Sequence, residues 1–97
     1  MLMKGFNSLI HEPNRLKICG VLFAIDAIEF RVLAEQMMLS DSALSKHLKS
    51  LEQADFITQH KRNRFGRPRT WISMNEPGRS AFLAHIEALK TITGEIK

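Results

Sequence analysis

Five of the nine residues from Lys61 to Arg69 (KRNRFGRPR) are lysine or arginine, and none is acidic. Guanidinium groups present planar, permanently charged forks of N–H donors that match phosphate oxygens, and lysine adds a compact point charge. The chemistry within reach is therefore the binding of a polyanion. Without these five, the remainder of the chain's 14 Lys/Arg are outnumbered by its 10 Asp/Glu, so the formal charge of +4 resides in this one stretch. The stretch lies between two segments of period-two character, FITQH and TWISM, with Phe65-Gly66 as a turn signal and Pro68 stiffening the return. The expected element is a β-hairpin whose loop holds Lys61, Arg62, Arg64, Arg67 and Arg69 at its tip, where nothing pairs them internally. A solvated basic loop also serves solubility alone, and what precedes it weighs between the two.

The segment before the hairpin carries a second cationic surface. Ser40 is a good N-cap and Asp41 puts negative charge in the first turn of a helix that is expected to run to about residue 54. Leu44, Leu48 and Leu51, spaced by four and three, form a narrow stripe that must face a core. At 100° per residue the opposite face shows Ser42, Ser45, Lys46, Lys49 and Gln53, small or hydrogen-bonding side chains with two cations and no acid. His47, at the edge of the leucine stripe, reads as a boundary residue bonded to backbone or water.

These surfaces need a scaffold. Pro13 opens a first helix with Leu16, Cys19, Leu22 and Phe23 at helical spacing, residues 26–28 form a break one strand long, and residues 29–37 resume a helical pattern with Phe30, Leu33 and Ala34 apolar. Met38-Leu39 makes a tight connection to the third helix. In the hairpin Ile57, Ile72 and Met74 should point inward. Asn75 is expected to cap a last helix with Pro77 in its first turn. That helix has a broad apolar arc: Phe82, Ile86, Leu89, Ile92 and Ile96 form a stripe, Ala81 and Ala88 widen it, and Leu83 stands apart. The arc suits either packing along the helix's own domain or a homodimer interface of Phe82, Leu83, Ile86, Leu89 and Ile92, and its continuation to the chain end favours the second.

At 97 residues the chain is expected to be a single domain (1–97) with one modest core and no room for a separate catalytic or ligand-sensing domain. Cys19 is the lone cysteine, which excludes an intramolecular disulfide and fits a reducing cytoplasm. The start MLMKGFNSLI lacks the apolar run of a signal peptide, and no stretch reaches the length of a membrane span, so a cytosolic protein is expected.

The order helix, short strand, helix, tight turn, helix, hairpin, helix is that of a winged helix-turn-helix, mainly α with a small β-hairpin (α+β), with residues 29–54 as the helix-turn-helix, 56–74 as the wing and 76–97 as the C-terminal helix. The run LAEQMMLSDSALSKHLKSLEQADFI resembles the recognition segment of MarR-like and ArsR-like bacterial transcriptional regulators, with SKHL at Ser45 to Leu48 and the Leu51-Glu52 exit. HEPNRLKI and NEPGRSAF resemble the flanks of a compact single-domain subgroup. Asp55 stands where the family usually has Gly, Gly66-Arg67-Pro68-Arg69 where MarR-like wings carry Asp-x-Arg, and Asn75 where Thr is common. The resemblance implies a DNA-binding regulator, and a homodimer formed through the last helix would require an inverted repeat. Ser42, Ser45, Lys46 and Lys49 would enter the major groove, and the wing arginines the adjacent minor groove.

Other readings have less behind them. Metal sensing needs clustered ligands, and one cysteine with four scattered histidines offers no pair at a useful spacing, so neither a metal nor a cofactor is expected. Cys19 as a redox switch lacks a cation to lower its pKa, and a buried structural thiol fits better. No nucleophile, base and oxyanion donor suggest themselves, so the chain does not read as an enzyme. A small-molecule effector has room in the core or at a dimer interface, but nothing indicates one. The remaining alternative is a winged helix used for protein interaction or RNA, against which stand two acid-free cationic surfaces on one small domain.

Overall fold

The computed structural model describes residues 4–96. The elements are α1 (Ser8–His11), α2 (Pro13–Ala24), β1 (Ile28–Glu29), α3 (Phe30–Met37), α4 (Asp41–Gln53), β2 (Ile57–Arg64), β3 (Arg67–Met74) and α5 (Glu76–Ile96). The strands form one antiparallel sheet in the order β1-β3-β2, with Ile28 opposite Ile72 and Ile57 opposite Met74.

The core lies where the helical stripes meet the inner face of this sheet. Ile18, Cys19 and Leu22 from α2, Leu33 from α3, Leu44, Leu48 and Leu51 from α4, and Ile57 and Ile72 from the sheet are buried together, joined by Ile10 and Phe82. Each such aliphatic side chain contributes roughly 1.5–3 kcal/mol relative to exposure, so the three leucines alone fix which face of α4 points outward.

Local chemistry sets the element boundaries. Glu12 caps α2 by accepting the Arg15 N–H at 2.8 Å, and this bond holds the Glu12 carboxyl below its usual value of 4.5. Ser40 caps α4 as expected, accepting the Ala43 N–H at 3.2 Å. The turn between α3 and α4 is made by Met38 in the left-handed region (φ 55), its N–H returned to the carbonyls of Ala34 and Glu35. Asp55 adopts φ 64 directly after α4, the conformation that glycine would take there without strain.

Four expectations are corrected. A short helix, α1, precedes Pro13; its single turn, capped by Asn7 accepting from the Ile10 N–H, is too short to show a period. The first strand falls at Ile28–Glu29 instead of 26–28, because pairing with Ile72 and Trp71 selects it. The basic stretch is not a loop: β2 and β3 run through it in register to Arg64 opposite Arg67, leaving Phe65-Gly66 as a two-residue turn. The Asn75 side chain does not cap α5. Its Nδ2 donates to the Asp55 carbonyl (3.2 Å) and its Oδ1 accepts from the Thr58 hydroxyl (2.7 Å), while its own carbonyl takes the Arg79 N–H. Asn75 thus ties the exit of α4 to the start of α5.

Candidate nucleic-acid interface

The outward face of α4 presents Ser42, Ser45, Lys46 and Lys49, all exposed. Among the described residues no acid pairs with Lys46 or Lys49. Behind this face α4 is anchored by Arg15. Its Nε donates to the Leu9 carbonyl at 2.6 Å, and its Nη1 lies 3.1 Å from His47 Nδ1. A guanidinium can only donate, so Nδ1 is the acceptor and the His47 proton sits on Nε2. Glu12 Oε1, 3.9 Å from the same nitrogen, is too far to compete for it. His47 is a boundary residue, and the partner that the structure gives its Nδ1 is the Arg15 side chain.

The hairpin has two different faces. Alternation along its register puts Arg62, Arg64, Arg67 and Arg69 on one face, together with His60 and Trp71, and Lys61 on the other. Arg62 faces Arg69 across the ladder and Arg64 faces Arg67, two like-charged pairs that destabilise an isolated hairpin. Arg69 is not without a partner, contrary to expectation: its guanidinium is 3.8 Å from Glu29, because β1 pairs alongside β3 and brings that carboxylate to it. Arg62 lies over the Trp71 ring at 5.6 Å and Arg64 over Phe65 at 5.5 Å. Lys61, Arg62, Arg64 and Arg67 are exposed, and Arg69 is half-buried. Gln59 Nε2 reaches Glu52 Oε1 at 3.4 Å, linking the hairpin base to the end of α4. A shallow cleft of about 200 Å³ sits between Glu29, Phe30, Arg31, Pro68, Arg69 and Thr70, below the size usual for a small-molecule site.

The five candidate interface residues on α5 divide. Phe82 is committed to the domain's own core, its ring 5.3 Å from that of Phe23, and Ile86 packs against the same cluster. Leu83 is exposed, and Leu89 and Ile92 are half-buried beyond that cluster.

Sequence reading missed His85. It is fully buried, accepts the Asn7 N–H on Nδ1 at 3.0 Å, and places Nε2 3.2 Å from His11 Nδ1, with Phe6 edge-on beside it. Its position three residues after Phe82 and three before Ala88 was the available signal. Among the described residues no group of three or more metal-capable side chains forms and no helix is long and apolar enough to cross a membrane. Cys19 is buried, and desolvation pushes its thiol up to about 11, which leaves it unreactive in the folded protein.

Residues 14–93 match a family model described as a winged helix DNA-binding domain. An uncharacterized protein of Methanocaldococcus jannaschii is 35% identical over 95 residues, covering 98% of this chain and 99% of that one. The structure of a transcriptional regulator homologue from Pyrococcus horikoshii superposes with a TM-score of 0.86 at 21% identity, over 92% of this chain and 88% of that chain. MepR of S. aureus, in a crystal structure of its complex with DNA, superposes with a TM-score of 0.74 at 15% identity, over 88% and 69% of the two chains.

Proposed function

This chain belongs to the winged helix DNA-binding domain family, and from that premise we propose that it is a transcriptional regulator that binds double-stranded DNA sequence-specifically, acting as a homodimer on an inverted repeat. The outward face of α4 enters the major groove, where Ser42, Ser45, Lys46 and Lys49 reach base edges and phosphates. The arginine face of the hairpin lies along the adjacent minor groove, where a narrow A·T-rich stretch concentrates negative potential. One observation carries this reading: four arginines share one hairpin face in two directly opposed pairs, with one neighbouring carboxylate among them. That arrangement opposes folding in isolation and is relieved when a polyanion lies between the rows.

The test is selection of bound sites from a random duplex library at about 150 mM salt, followed by a salt titration on the selected site. The expected product is an inverted repeat with half-site centres one helical turn, roughly 34 Å, apart. For a dimer neutralising on the order of ten phosphates the log–log salt slope should be near −9. Weak, salt-sensitive binding with no enriched sequence would remove the sequence-specific reading and leave a non-specific nucleic-acid or protein-docking domain.

A further inference from the structure

Phe65 buries almost none of its ring in the free domain. It occupies the tip of the hairpin, 92% exposed, in a conformation (φ 52) that a phenylalanine rarely adopts. With Gly66 at φ 74 the two residues form the tight turn that favours Asn-Gly or Asp-Gly, since both central positions need positive φ. Phenylalanine there is strained where asparagine would not be, and it exposes a large apolar ring. Every residue from Lys61 to Pro68 is exposed, so the outer half of the hairpin stands clear of the domain and the ring packs on nothing behind it. Turn chemistry and hydrophobic burial both argue against this residue, and the one contact that the structure gives its ring, the Arg64 guanidinium at 5.5 Å, leaves it 92% exposed.

Its surroundings specify what does. Arg64 holds its guanidinium 5.5 Å from the ring, Arg67 follows the turn, and Arg62 and Arg69 continue the cationic rows toward the domain. An apolar blade at the end of a cationic ribbon matches duplex DNA: phosphates line both sides of a groove whose floor is stacked bases. An apolar pocket on a protein would have to tolerate the arginines on either side. We propose that Phe65 is a wedge that enters the minor groove and inserts between adjacent base pairs, unstacking one step and bending the duplex. The inference rests on the DNA-binding reading above and adds to it a deformation of the partner. Because a pyrimidine–purine step unstacks most readily, Phe65 would also impose a sequence preference at a position where the hairpin makes no base hydrogen bond.

The experiment places 2-aminopurine, whose fluorescence rises when it is unstacked, at successive positions of the selected duplex. The wild-type chain, Phe65→Asn and Phe65→Leu are compared at saturating protein. Asparagine suits the turn, so Phe65→Asn should melt no lower than wild type, which removes misfolding as an explanation. The expected result is a several-fold rise at one step per half-site with wild type, a partial rise with Phe65→Leu, and none with Phe65→Asn, whose affinity falls about tenfold. Binding of the wild-type chain with no brightening at any position overturns the wedge and leaves the DNA-binding reading standing. Tighter binding to the single strand than to the duplex, abolished by Phe65→Asn, overturns it in favour of a stacking platform. Failure to bind any duplex overturns both.

Discussion

Arg62 and Arg69 stand directly opposite one another in the β2–β3 ladder, and the next pair toward the tip on the same face is Arg64 with Arg67. Opposed like charges destabilise a hairpin by up to about 1 kcal/mol per pair. Glu29 offsets part of this at Arg69, and the aromatic rings under Arg62 and Arg64 offset part of the rest. The face is thus less stable alone than it would be against phosphate, while the α4 face, with its serines and two lysines, carries no such opposed charges.

A division of labour between the two surfaces follows. Arg64→Ala with Arg67→Ala should weaken binding to every duplex and reduce the magnitude of the salt slope by about 1 per residue removed, without lowering the melting temperature. Lys46→Ala with Lys49→Ala should act on the selected site more than on random DNA. Equal, sequence-independent losses from both pairs, measured by titration on specific and scrambled duplexes, would sink this division.

The fold was legible where a period was long enough to count. The leucine stripe at Leu44, Leu48 and Leu51 gave the orientation of α4, and the alternation around Ile57 and Ile72 gave the hairpin. What stayed hidden depended on pairing between distant segments. Lys61 to Arg69 read as a loop because charge masked the alternation, and only the register with β3 shows that its arginines share a face. The contact of Glu29 with Arg69 needs β1 beside β3, and that of His11 with His85 joins residues 74 apart in sequence. No local pattern encodes either.

Gly78 shows the same dependence on tertiary approach. The first turn of α5 passes so close to the connection between α4 and β2 that a β-carbon at Gly78 would overlap the Phe56 carbonyl, which accepts the Asn75 N–H at 2.9 Å. That carbonyl is backbone held by its own bond and cannot turn aside. Gly78→Ala should therefore destabilise the domain by roughly 2–4 kcal/mol, well beyond the gain in helix propensity. A urea midpoint unchanged from wild type would contradict the close approach.

His85 should make stability fall in mild acid. Its Nδ1 accepts the Asn7 N–H, so its proton is on Nε2 and is donated to His11 Nδ1; protonating His85 at Nδ1 breaks the bond from Asn7 that ties the N-terminal segment to α5. Burial, and secondly the neighbouring His11, hold the His85 pKa below its usual 6.5. The unfolded chain therefore takes up the proton first as pH drops. The contribution is full above the unfolded value and is lost as pH falls through the lower folded value. Melting temperatures from about pH 8 to about pH 5 should decline across that window, and His85→Gln, which can still accept from Asn7, should flatten the decline. A variant that declines as steeply as wild type would place the acid sensitivity elsewhere.

The two ends of α5 should respond in opposite ways to substitution. Phe82 packs with Phe23, and Arg79 closes the same corner by lying 4.4 Å over the Phe23 ring while donating to the Phe23 carbonyl. Phe82→Ala should cost roughly 3–5 kcal/mol of monomer stability whatever the oligomeric state. Ile92 continues the apolar stripe beyond the core cluster, so a charge there disturbs little within one domain. If a second copy covers this end of α5, Ile92→Asp should turn a dimer into a monomer in sedimentation equilibrium. It should also weaken binding to the inverted repeat far more than to a single half-site, because the two domains are then no longer linked. A wild-type chain that sediments as a monomer at the concentrations where it occupies its site, or an Ile92→Asp chain that remains a dimer, would remove α5 from the dimer interface.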